Sequence, residues 1–361
     1  MHIGIIGAGQ LGRMMALSGI PLGLQFTMYD QSPDVPGAAV AAIVTGRFDD
    51  HRKLARFARA VDVVTFDWEN VPVESVRAIA KLAPVWPPPR ALAVAQDRLS
   101  EKRLFQQLGI PVAPYAPVDT RGGLDRAIAV LGTPGILKTR RLGYDGKGQA
   151  PLRRASDADA AWGQLQGEAL LYERVVNYSR EVSLIAARDR AGDIACYPLA
   201  ANVHERGILV ETRAPFREGR LQRTAERQHR RLMQALGYVG VLCVEYFVER
   251  GRLIANEMAP RVHNSGHWTI EGADTSQFEN HVRAIAGLPL GSARARGHAV
   301  MVNLIGRMPA RRLLLGMPGA HLHDYGKSPR RGRKLGHLTA VAATARQRDR
   351  AALRLLRVSG R

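Results

Sequence analysis

The chain has 361 residues, of which 46% are hydrophobic, so general disorder is excluded and two or three compact domains are expected. Its formal net charge is +20, and residues 291–361 alone contribute +14. A basic segment of this kind can serve nucleic acid, an anionic membrane surface or a phosphorylated small substrate, so composition does not decide between them.

The first predicted unit is a strand, a glycine turn, a helix and a second strand. Residues 2–6 are apolar, residues 7–12 read Gly-Ala-Gly-Gln-Leu-Gly, and the second strand ends at Asp30. This order begins a doubly wound α/β sheet whose turn can present backbone N–H groups to an anion. Asp30 stands where a dinucleotide site would have its ribose-binding acid. Both a dinucleotide site and a nucleotide-free Rossmann-like turn fit the pattern.

A third strand, at residues 61–66, leads into the polar cluster 67–70, which contains Glu69. Polar groups at the carboxyl end of such a strand are candidate ligand contacts. The proline-rich segment 84–89 predicts a domain boundary, and a helix is expected at about 97–108. Residues 110–290 then alternate between short β-type runs and helices, which predicts an α+β domain.

A glycine-rich loop at residues 143–149 follows a predicted strand that ends at Lys138. Such a loop can close backbone N–H groups over phosphates, while Lys138 and Lys147 supply compact charges. Seven of the 52 basic residues are lysines, so two lysines flanking one loop are notable, although an ordinary hairpin turn would also explain the glycines. The loop lacks the pattern of a P-loop.

The strongest constellation is a predicted hairpin with one acid inside each apolar strand, Glu245 and Glu257. Two buried carboxylates repel, so a cation is expected between them. Mg²⁺ bound to nucleotide phosphates would meet that need, with Asn256 as a neutral ligand, and a buried salt bridge to arginine is the alternative. Glu181, at the start of another strand, is either a ribose contact or an exposed end residue.

The segment 261–268 follows directly and reads Arg-Val-His-Asn-Ser-Gly-His-Trp. Its histidines could bind Zn²⁺, but no cysteine or third well-spaced ligand supports this, so anion-binding donors are favoured. The later loop 325–334 contains Lys327 and Lys334 and could hold a phosphate monoester. A basic helix at about 344–358 ends the chain, and its arginines are expected to face solvent.

Two isolated cysteines, Cys196 and Cys243, predict neither a metal-binding pair nor a disulfide framework. The apolar start is too short for a secretory signal, and no apolar run approaches the roughly 20 residues of a membrane span. A soluble, cytoplasmic protein is therefore expected.

Several motifs together resemble the N5-carboxyaminoimidazole ribonucleotide synthetases, a family of the ATP-grasp superfamily. They occur in the family's order along nearly the whole chain, at residues 9–14, 143–149, 237–240, 256–261, 263–268 and 332–337. The chain departs from the family pattern at Asp67 and Arg331. The resemblance implies a Rossmann-like N-terminal domain at 1–95, an ATP-grasp domain at 96–290 with a mobile lid around 110–176, and a small β-rich domain at 291–361.

The family's reaction uses ATP and Mg²⁺ to join bicarbonate to the amine of 5-aminoimidazole ribonucleotide in purine biosynthesis. The resemblance implies a nucleotide site made of the following residues: Arg98, Lys138, Gly143, Tyr144, Asp145, Gly146, Lys147, Gly148, Gln149, Glu173, Arg174, Val175, Val176, Glu181, His204, Asn256 and Glu257. Within this set, the 173–176 connector would hold adenine by its backbone groups. Glu245 and Glu257 would be the metal ligands.

The resemblance also implies which residues meet the other two substrates. Arg261, His263 and Asn264 would receive bicarbonate or carboxyphosphate, and Tyr144 and Asp145 would face the imidazole amine. The remaining contacts to the ribonucleotide would come from Gln10, Leu11, Glu69, Lys327, Arg330, Arg333 and Lys334. A homodimer is implied, without a nucleic-acid or membrane partner.

Three other functions are alternatives to this assignment. A formate-dependent glycinamide ribonucleotide transformylase, or another ligase of the same architecture, does not explain residues 263–268. An NAD-dependent oxidoreductase would explain the N-terminal turn but leaves Glu245 and Glu257 without a role. Nucleic-acid binding by residues 291–361 would predict steep salt dependence, yet no aromatic residues are interleaved with those arginines.

Overall fold

The structure is a computed structural model that describes residues 1–143 and 147–361. Its N-terminal part is a parallel sheet of four strands in the order β3-β2-β1-β4. The strands are β1 (His2–Ile6), β2 (Gln25–Asp30), β3 (Ala42–Thr45) and β4 (Val63–Phe66), with helices α1 (Gln10–Gly19), α2 (His51–Arg59) and α3 (Val73–Ile79). Strands β1 and β4 are almost wholly buried, as expected for parallel strands covered on both faces. The predicted doubly wound sheet is confirmed.

Two helices, α4 (Pro89–Ala95) and α5 (Arg98–Gln107), lead from this sheet into the central part of the chain. Pro89 occupies the first turn of α4, where its missing N–H costs no hydrogen bond. The side chain of Asp97 caps α5 by accepting hydrogen bonds from the backbone of Leu99 and Ser100. The helix therefore begins at Arg98, which fixes that arginine at one end of the cleft described below.

A small antiparallel sheet follows, with the strand order β5-β8-β6-β7. Its strands are β5 (Tyr115–Val118), β6 (Gly135–Thr139), β7 (Gln149–Leu152) and β8 (Leu170–Arg174), and its helices are α6 (Arg121–Leu131) and α7 (Ala158–Leu165). These elements share a core of their own, which includes Leu124, Leu137 and Tyr172. The glycine-rich loop connects β6 to β7, and its residues Tyr144, Asp145 and Gly146 lie outside the described residues. The assignment of a lid to this region stays a prediction.

The largest sheet among the described residues has nine strands in the order β14-β13-β9-β11-β12-β15-β17-β16, with β10 beside β9. Its strands are β9 (Arg180–Arg188), β10 (Ile194–Cys196), β11 (Ala200–Glu205), β12 (Ile208–Ala214), β13 (Gly240–Glu249), β14 (Arg252–Ala259), β15 (His298–Ile305), β16 (Ala320–Asp324) and β17 (Lys334–Ala342). Antiparallel pairing of β12 with β15 carries the sheet across residue 290. The predicted domain boundary there stays a prediction, but the sheet does not break at it.

Five further helices cover this sheet or follow it. They are α8 (Gly219–Leu236), α9 (Thr269–Gly272), α10 (Gln277–Ala286), α11 (Arg311–Leu315) and α12 (Ala345–Ser359). The basic C-terminal helix was thus predicted to within a residue of its bounds. Its buried side chains, which include Ala352 and Leu355, pack on the sheet, while most of its arginines are not buried. Among the described residues, no helix is long and apolar enough to cross a membrane.

Helix α10 joins the N-terminal sheet to the large sheet. Its His281 is fully buried, and its Nδ1 accepts a hydrogen bond of 3.1 Å from the backbone N–H of Val241. The other ring nitrogen therefore carries the proton and donates to the hydroxyl of Thr65 on β4, 2.9 Å away. Burial lowers the pKa of His281 to about 3, so this link is neutral and intact at physiological pH. The strand ends of the two sheets are thereby held in a fixed relation.

Candidate active site

A cleft of about 790 Å³ opens where the N-terminal sheet, the β13–β14 hairpin and the loop before β17 meet. The predicted site residues that line it come from all three regions: Gln10, Leu11, Glu69, Arg98, Gly143, Lys147, Glu245, Glu257, Arg261, His263, Asn264, Lys327, Arg330, Arg333 and Lys334. They come from distant parts of the sequence, from the first helix to the last strand. The fold therefore brings the predicted metal, bicarbonate and ribonucleotide contacts to one cavity.

The other described residues predicted to bind nucleotide do not line this cleft. They lie on or beside strands of the small and large sheets: Lys138, Gly148, Gln149, Glu173, Arg174, Val175, Val176, Glu181, His204 and Asn256. Val175 and Val176 directly follow β8, and Glu181 and His204 lie on the adjacent strands β9 and β11. His204, which lies 4.0 Å from Glu245, connects this set to the cleft.

Glu245 and Glu257 face each other across the β13–β14 pair, in register, as the hairpin pattern predicted. Burial raises the pKa of Glu245 to about 7; His204 opposes this rise and the nearby Glu257 adds to it. Burial acts in the same direction on Glu257, but Arg98 outweighs it and lowers the pKa of that carboxyl. The Arg98 Nη1 lies 3.0 Å from Glu257 Oε2. One acid is thus paired with arginine, and the other holds its proton more tightly than usual, mainly because it is buried.

His204 sits between two acids on the nucleotide side of the hairpin. Its Nδ1 pairs with Glu181, and its Nε2 lies 4.0 Å from Glu245 Oε1. Burial lowers the pKa of His204, but Glu181 and Glu245 outweigh burial and the net shift is upward. Glu181 also accepts a hydrogen bond of 2.7 Å from the hydroxyl of Tyr178. The predicted nucleotide residues Glu181 and His204 are therefore physically coupled to the predicted metal ligand.

Glu173 contributes a buried carboxylate as well as the backbone groups that the resemblance implied. Its two oxygens lie 2.9 Å from Lys102 Nζ and 2.8 Å from Lys138 Nζ. Burial alone would raise the pKa of Glu173, but the two lysines hold it at about 2. Burial lowers the pKa of Lys138, and the Coulombic pull of Glu173 opposes that change. Lys138 is thus held beside the nucleotide region by a carboxylate that Lys102 already half neutralises.

The segment after β14 places a cation, an imidazole and an amide at one wall of the cleft. Arg261 Nη2 lies 2.7 Å from Glu69 Oε2, which ties the segment to the end of β4. Burial and then Arg261 lower the pKa of His263 well below its usual value, so its ring is neutral. Asn264 exchanges two amide hydrogen bonds, of 3.1 and 2.7 Å, with Asn303 on β15. This segment offers hydrogen-bond donors to an anion.

The basic loop between β16 and β17 closes the opposite end of the cleft. Lys327 Nζ donates a hydrogen bond to Gln10 Oε1 on the first turn of α1. Burial, followed by the charge of Arg333, lowers the pKa of Lys327 to about 8. Arg333 in turn donates to the hydroxyl of Ser328, 3.0 Å away, within the same loop. Several cations held this close favour a multiply charged anion between them, which would restore the pKa of Lys327.

The backbone N–H groups of the N-terminal glycine turn already bind carboxyl groups of the protein itself. Asp67 Oδ2 accepts hydrogen bonds from the backbone N–H groups of Gly9 and Gly12, at 2.7 and 3.1 Å. Asp30 Oδ2 accepts from the N–H of Ala8 at 2.8 Å, so the expected ribose acid is engaged by the turn itself. A Cβ on Gly7 would stand 1.8 Å from Asp67 Oδ1, which explains that glycine. The turn therefore holds the start of α1 in place, and because its N–H groups are already bound by Asp30 and Asp67, the dinucleotide hypothesis is wrong.

Asp67 makes a pH-dependent contribution to stability that can be measured. Burial raises its pKa from 3.8 to about 6, although the glycine N–H groups oppose the rise. The folded state thus holds the proton more tightly than the unfolded chain, so stability from this group is complete below pH 4 and falls as the pH approaches 6. The loss amounts to about 3 kcal/mol at neutral pH.

Asp67→Asn removes this titration. We expect the free energy of unfolding of the variant, minus that of the unsubstituted protein, to increase between pH 4 and pH 6 and to level off above pH 6. Denaturant titrations at a series of pH values measure this difference. The matched control is Asp34→Asn, on the surface near the same sheet, which should show no such increase. A flat difference for Asp67→Asn would contradict the role given to its buried carboxyl.

Some residues at the cleft were not found by sequence reasoning. Glu101 lines it, is 2% exposed, and accepts a hydrogen bond of 2.6 Å from the N–H of Met258. Burial raises the pKa of Glu101 to about 8. Lys102, beside it, is one of only seven lysines in the chain. The scarcity of lysine among the basic residues is the sequence feature that could have identified it. Asn303 lies inside an ordinary apolar strand pattern, so nothing in the sequence marked it.

Within residues 1–143 and 147–361, no group of three or more His, Cys, Asp or Glu side chains is arranged to hold a metal by itself. A cation bound between Glu245 and Glu257 would need further oxygen ligands, such as those of a nucleotide.

Comparison with domain models divides the chain into three matched regions. Residues 1–96 match the ribonucleotide synthetase preATP-grasp domain, residues 103–278 the ATP-grasp domain, and residues 299–351 the phosphoribosylaminoimidazole carboxylase C-terminal domain. The fold and the site together define an ATP-grasp ligase.

Individual relatives specify the kind of ligase. The chain is 47% identical over 353 residues to the N5-carboxyaminoimidazole ribonucleotide synthase of Pseudomonas aeruginosa, covering 98% of this chain and 96% of that protein. The chain belongs to the N5-carboxyaminoimidazole ribonucleotide synthase family. The crystal structure of the synthetase from Thermus thermophilus has a TM-score of 0.95 at 49% identity, over 99% of this chain and 98% of that one.

A third relative carries ligands. The N5-carboxyaminoimidazole synthase of Aspergillus clavatus, in complex with ADP and 5-aminoimidazole ribonucleotide, has a TM-score of 0.93 at 29% identity, over 99% of this chain and 98% of that one. The family assignment expected from the motifs is thus confirmed, and so is the ATP-grasp fold. The transformylase hypothesis is wrong.

Proposed function

We propose that this chain joins bicarbonate to the exocyclic amine of 5-aminoimidazole ribonucleotide, with ATP converted to ADP and phosphate. The product is N5-carboxyaminoimidazole ribonucleotide, an intermediate of purine biosynthesis. The observation that supports this function best is one cleft that joins an acidic hairpin, a donor-rich segment and a basic loop. Those three environments suit a nucleotide with its cation, a small oxyanion and a phosphate monoester.

The chemistry requires bicarbonate to become electrophilic. A bicarbonate oxygen attacks the γ-phosphorus of ATP and the bond to ADP breaks, which gives carboxyphosphate. The bond between its carboxyl carbon and the bridging oxygen then breaks to give CO₂ and phosphate. The amine nitrogen adds to CO₂, and the proton it loses passes to phosphate. Catalysis of these steps depends mainly on positioning and on neutralising charge.

The nucleotide would lie between the small sheet and the β13–β14 hairpin. Lys138 and Arg98 are proposed to contact its phosphates, with Lys147 and the rest of the 143–149 loop above them. The lysine pair on Glu173 supports this role, because Lys102 can keep Glu173 neutralised when Lys138 turns towards phosphate. Backbone groups of the 173–176 connector would hold adenine, and Glu181 and His204 would complete the ribose side.

Mg²⁺ is proposed to bind between Glu245 and Glu257, with Asn256 beside them. The residues fit this ion, because paired carboxylates are oxygen donors and because a cation there would reverse the raised pKa of Glu245. When bound, the ion would neutralise charge on the nucleotide phosphates. Arg98, which pairs with Glu257 in this structure, would then be available to contact a phosphate oxygen as well.

The ribonucleotide would span the cleft from the glycine turn to the basic loop. Gln10, Leu11 and Glu69 would contact its imidazole and ribose, and the Lys327–Gln10 hydrogen bond supports this juxtaposition. The phosphate monoester would be held by four cations of the basic loop: Lys327, Arg330, Arg333 and Lys334. Tyr144 and Asp145, outside the described residues, would face the amine. Arg261, His263 and Asn264 would hold bicarbonate and carboxyphosphate.

The function is tested by ADP release from Mg-ATP and bicarbonate, with and without 5-aminoimidazole ribonucleotide. We expect release to depend on the ribonucleotide and to be accompanied by one equivalent of carboxylated product. Release that follows another amine acceptor instead would overturn the substrate assignment and keep the ATP-grasp assignment. No release with any acceptor would overturn both.

Lys334→Ala is expected to raise the KM for the ribonucleotide by about tenfold or more, because a charge-assisted contact to phosphate contributes about 1.5–3 kcal/mol. The KM for ATP should change little. Steady-state ADP release with each substrate varied in turn measures both constants. Lys81→Ala, at an exposed position outside the cleft, is the matched control. A rise in the KM for ATP alone would mean that Lys334 contacts the nucleotide and not the ribonucleotide.

We also propose a homodimer, a cytoplasmic location and the absence of nucleic-acid and membrane partners. These proposals depend on the family resemblance. Sedimentation at micromolar concentration tests the first of these. A single species of monomer mass would contradict it.

A further inference from the structure

Among the residues that the structure describes, hydrogen bonds hold His263 on only one of its two ring nitrogens. Its Nδ1 lies 2.8 Å from the hydroxyl of Ser265 and 3.3 Å from the backbone N–H of Ser265, which caps the short turn at Asn264–Gly266. Its Nε2 points towards the hairpin and lies 3.7 Å from Glu245 Oε1. The side chain of Gln277 clamps the backbone of His263 on both its N–H and its C=O. The orientation of the ring is therefore fixed.

The backbone N–H of Ser265 can only donate, so its 3.3 Å contact favours an Nδ1 that accepts, and the shorter 2.8 Å contact with the Ser265 hydroxyl decides the direction. An imidazole whose Nδ1 accepts carries its proton on Nε2. Nε2 lies 3.7 Å from Glu245 Oε1, and an N–H on that nitrogen is attracted to the ionised form of the carboxyl. The hydrogen bonds on Nδ1 therefore select the tautomer, and the contact at Nε2 is compatible with it.

Buried side chains behind Ser265 form a chain of hydrogen bonds, and each of them donates in the direction of Ser265. The Thr212 hydroxyl donates to Asn202 Oδ1 at 3.0 Å, Asn202 Nδ2 donates to the Ser183 hydroxyl at 3.0 Å, and Ser183 donates to the Ser265 hydroxyl at 2.8 Å. Ser265 Oγ thus already accepts, and His263 Nδ1 at 2.8 Å is a nearer and stronger acceptor for its proton than Cys243 Sγ at 3.8 Å. All four side chains are at most 6% exposed, so water does not compete along this path.

We infer that Thr212, Asn202, Ser183 and Ser265 form a positioning relay that fixes His263 as the neutral Nε2–H tautomer. His263 then serves as a hydrogen-bond donor to the oxyanion in the cleft, and it does not act as a proton acceptor there. The identity of that oxyanion, bicarbonate or carboxyphosphate, rests on the proposed function. The relay itself comes from strands β9, β11 and β12 and the turn after β14, and it touches no substrate.

The tautomer is observed directly by ¹⁵N NMR of the full-length protein labelled at histidine, without any substrate. The His263 resonances are assigned by their loss in His263→Asn. We expect a proton on Nε2 and an unprotonated Nδ1. A proton on Nδ1, or on both nitrogens, would overturn the inference. Because this measurement needs no turnover, its failure is distinguishable from failure of the proposed function.

Asn202→Asp tests the polarity of the relay, because a carboxylate can only accept. Ser183 would turn its proton to the new carboxylate, Ser265 would turn its proton to Ser183, and His263 Nδ1 would have to donate to Ser265. The proton would leave Nε2. We expect kcat to fall about tenfold or more below that of Asn202→Ala, an effect typical of partners that orient a site histidine, while the KM for ATP stays within about twofold.

A purely structural role for Asn202 predicts the opposite ranking, because aspartate is isosteric and keeps the bond from Thr212. Equal or higher kcat for Asn202→Asp than for Asn202→Ala would therefore overturn the relay. Asn280→Asp is the matched control, since Asn280 is fully buried but bonds to Tyr197 and Gly291 instead. The control should leave the His263 tautomer unchanged. Movement of the His263 proton in Asn202→Asp and not in Asn280→Asp is the expected spectroscopic result.

Discussion

Replacing Glu257 with glutamine is expected to lower Mg-ATP turnover by at least about a hundredfold, the scale seen when one charge-stabilising group is removed from a reaction site. Glutamine keeps the shape and one oxygen of the side chain but removes the charge that Mg²⁺ requires. It also leaves Arg98, which pairs with Glu257 at 3.0 Å, without its counter-ion. ADP release at saturating ATP, across a range of Mg²⁺ concentrations, measures the effect.

Glu249→Gln is the matched control for this prediction. Glu249 lies at the end of the same strand β13, opposite Arg252 at the hairpin turn and away from the cleft. We expect it to retain normal turnover. Normal turnover in Glu257→Gln as well would contradict the metal assignment, and higher Mg²⁺ partly restoring that variant would support it.

The second large effect is expected at Arg261. Arg261→Gln should lower kcat for ribonucleotide-dependent ADP release by about a hundredfold, because the variant loses a fixed cation where negative charge develops. Nucleotide affinity should change little, since Arg261 lies against Glu69 at the end of the N-terminal sheet. Single-turnover ADP formation and equilibrium ADP binding separate the two quantities.

Arg294→Gln serves as the comparison for Arg261→Gln. Arg294 pairs with Asp274 and its side chain is 81% exposed, so its substitution should alter neither kcat nor ADP affinity. If Arg261→Gln weakened ADP binding and left single-turnover chemistry unchanged, Arg261 would belong to the nucleotide site.

The sequence predicted the parts of the site that depend on local pattern. Glu245 and Glu257 could be placed near each other on a hairpin because a tight turn separates two apolar runs, and the structure makes them partners through a register shift between Glu245 and Tyr246. The segment 261–268 follows that hairpin directly, so its place at the same site was predictable as well. These are contacts whose geometry is fixed by short stretches of chain.

The parts that sequence reasoning missed depend on long-range pairing. Asp67 belongs to the polar cluster that was expected to contact a ligand, yet the return of β4 beside β1 carries it onto the glycine turn. Lys102 lies 71 positions from Glu173, and only the approach of α5 to the small sheet joins them. The relay from Thr212 to His263 crosses three strands. No local spacing encodes such contacts.

The continuity of the large sheet across residue 290 was not predicted either, because it also depends on long-range pairing. The last strands looked like a separate β-rich unit because a long stretch of chain, including α8 and the β13–β14 hairpin, lies between β12 and β15 in sequence. Hydrogen-bond register between Glu211 and Val302 can be known only once the two strands are brought together.

The central claim, that ATP phosphorylates bicarbonate before its carbon reaches the amine, is tested most directly with ¹⁸O-labelled bicarbonate. Mass spectrometry of the phosphate formed at early times, before bicarbonate exchanges oxygen with water, gives the answer. We expect one ¹⁸O atom in each phosphate released with carboxylated ribonucleotide. Phosphate that carries no ¹⁸O, formed at the same rate as product, would contradict it.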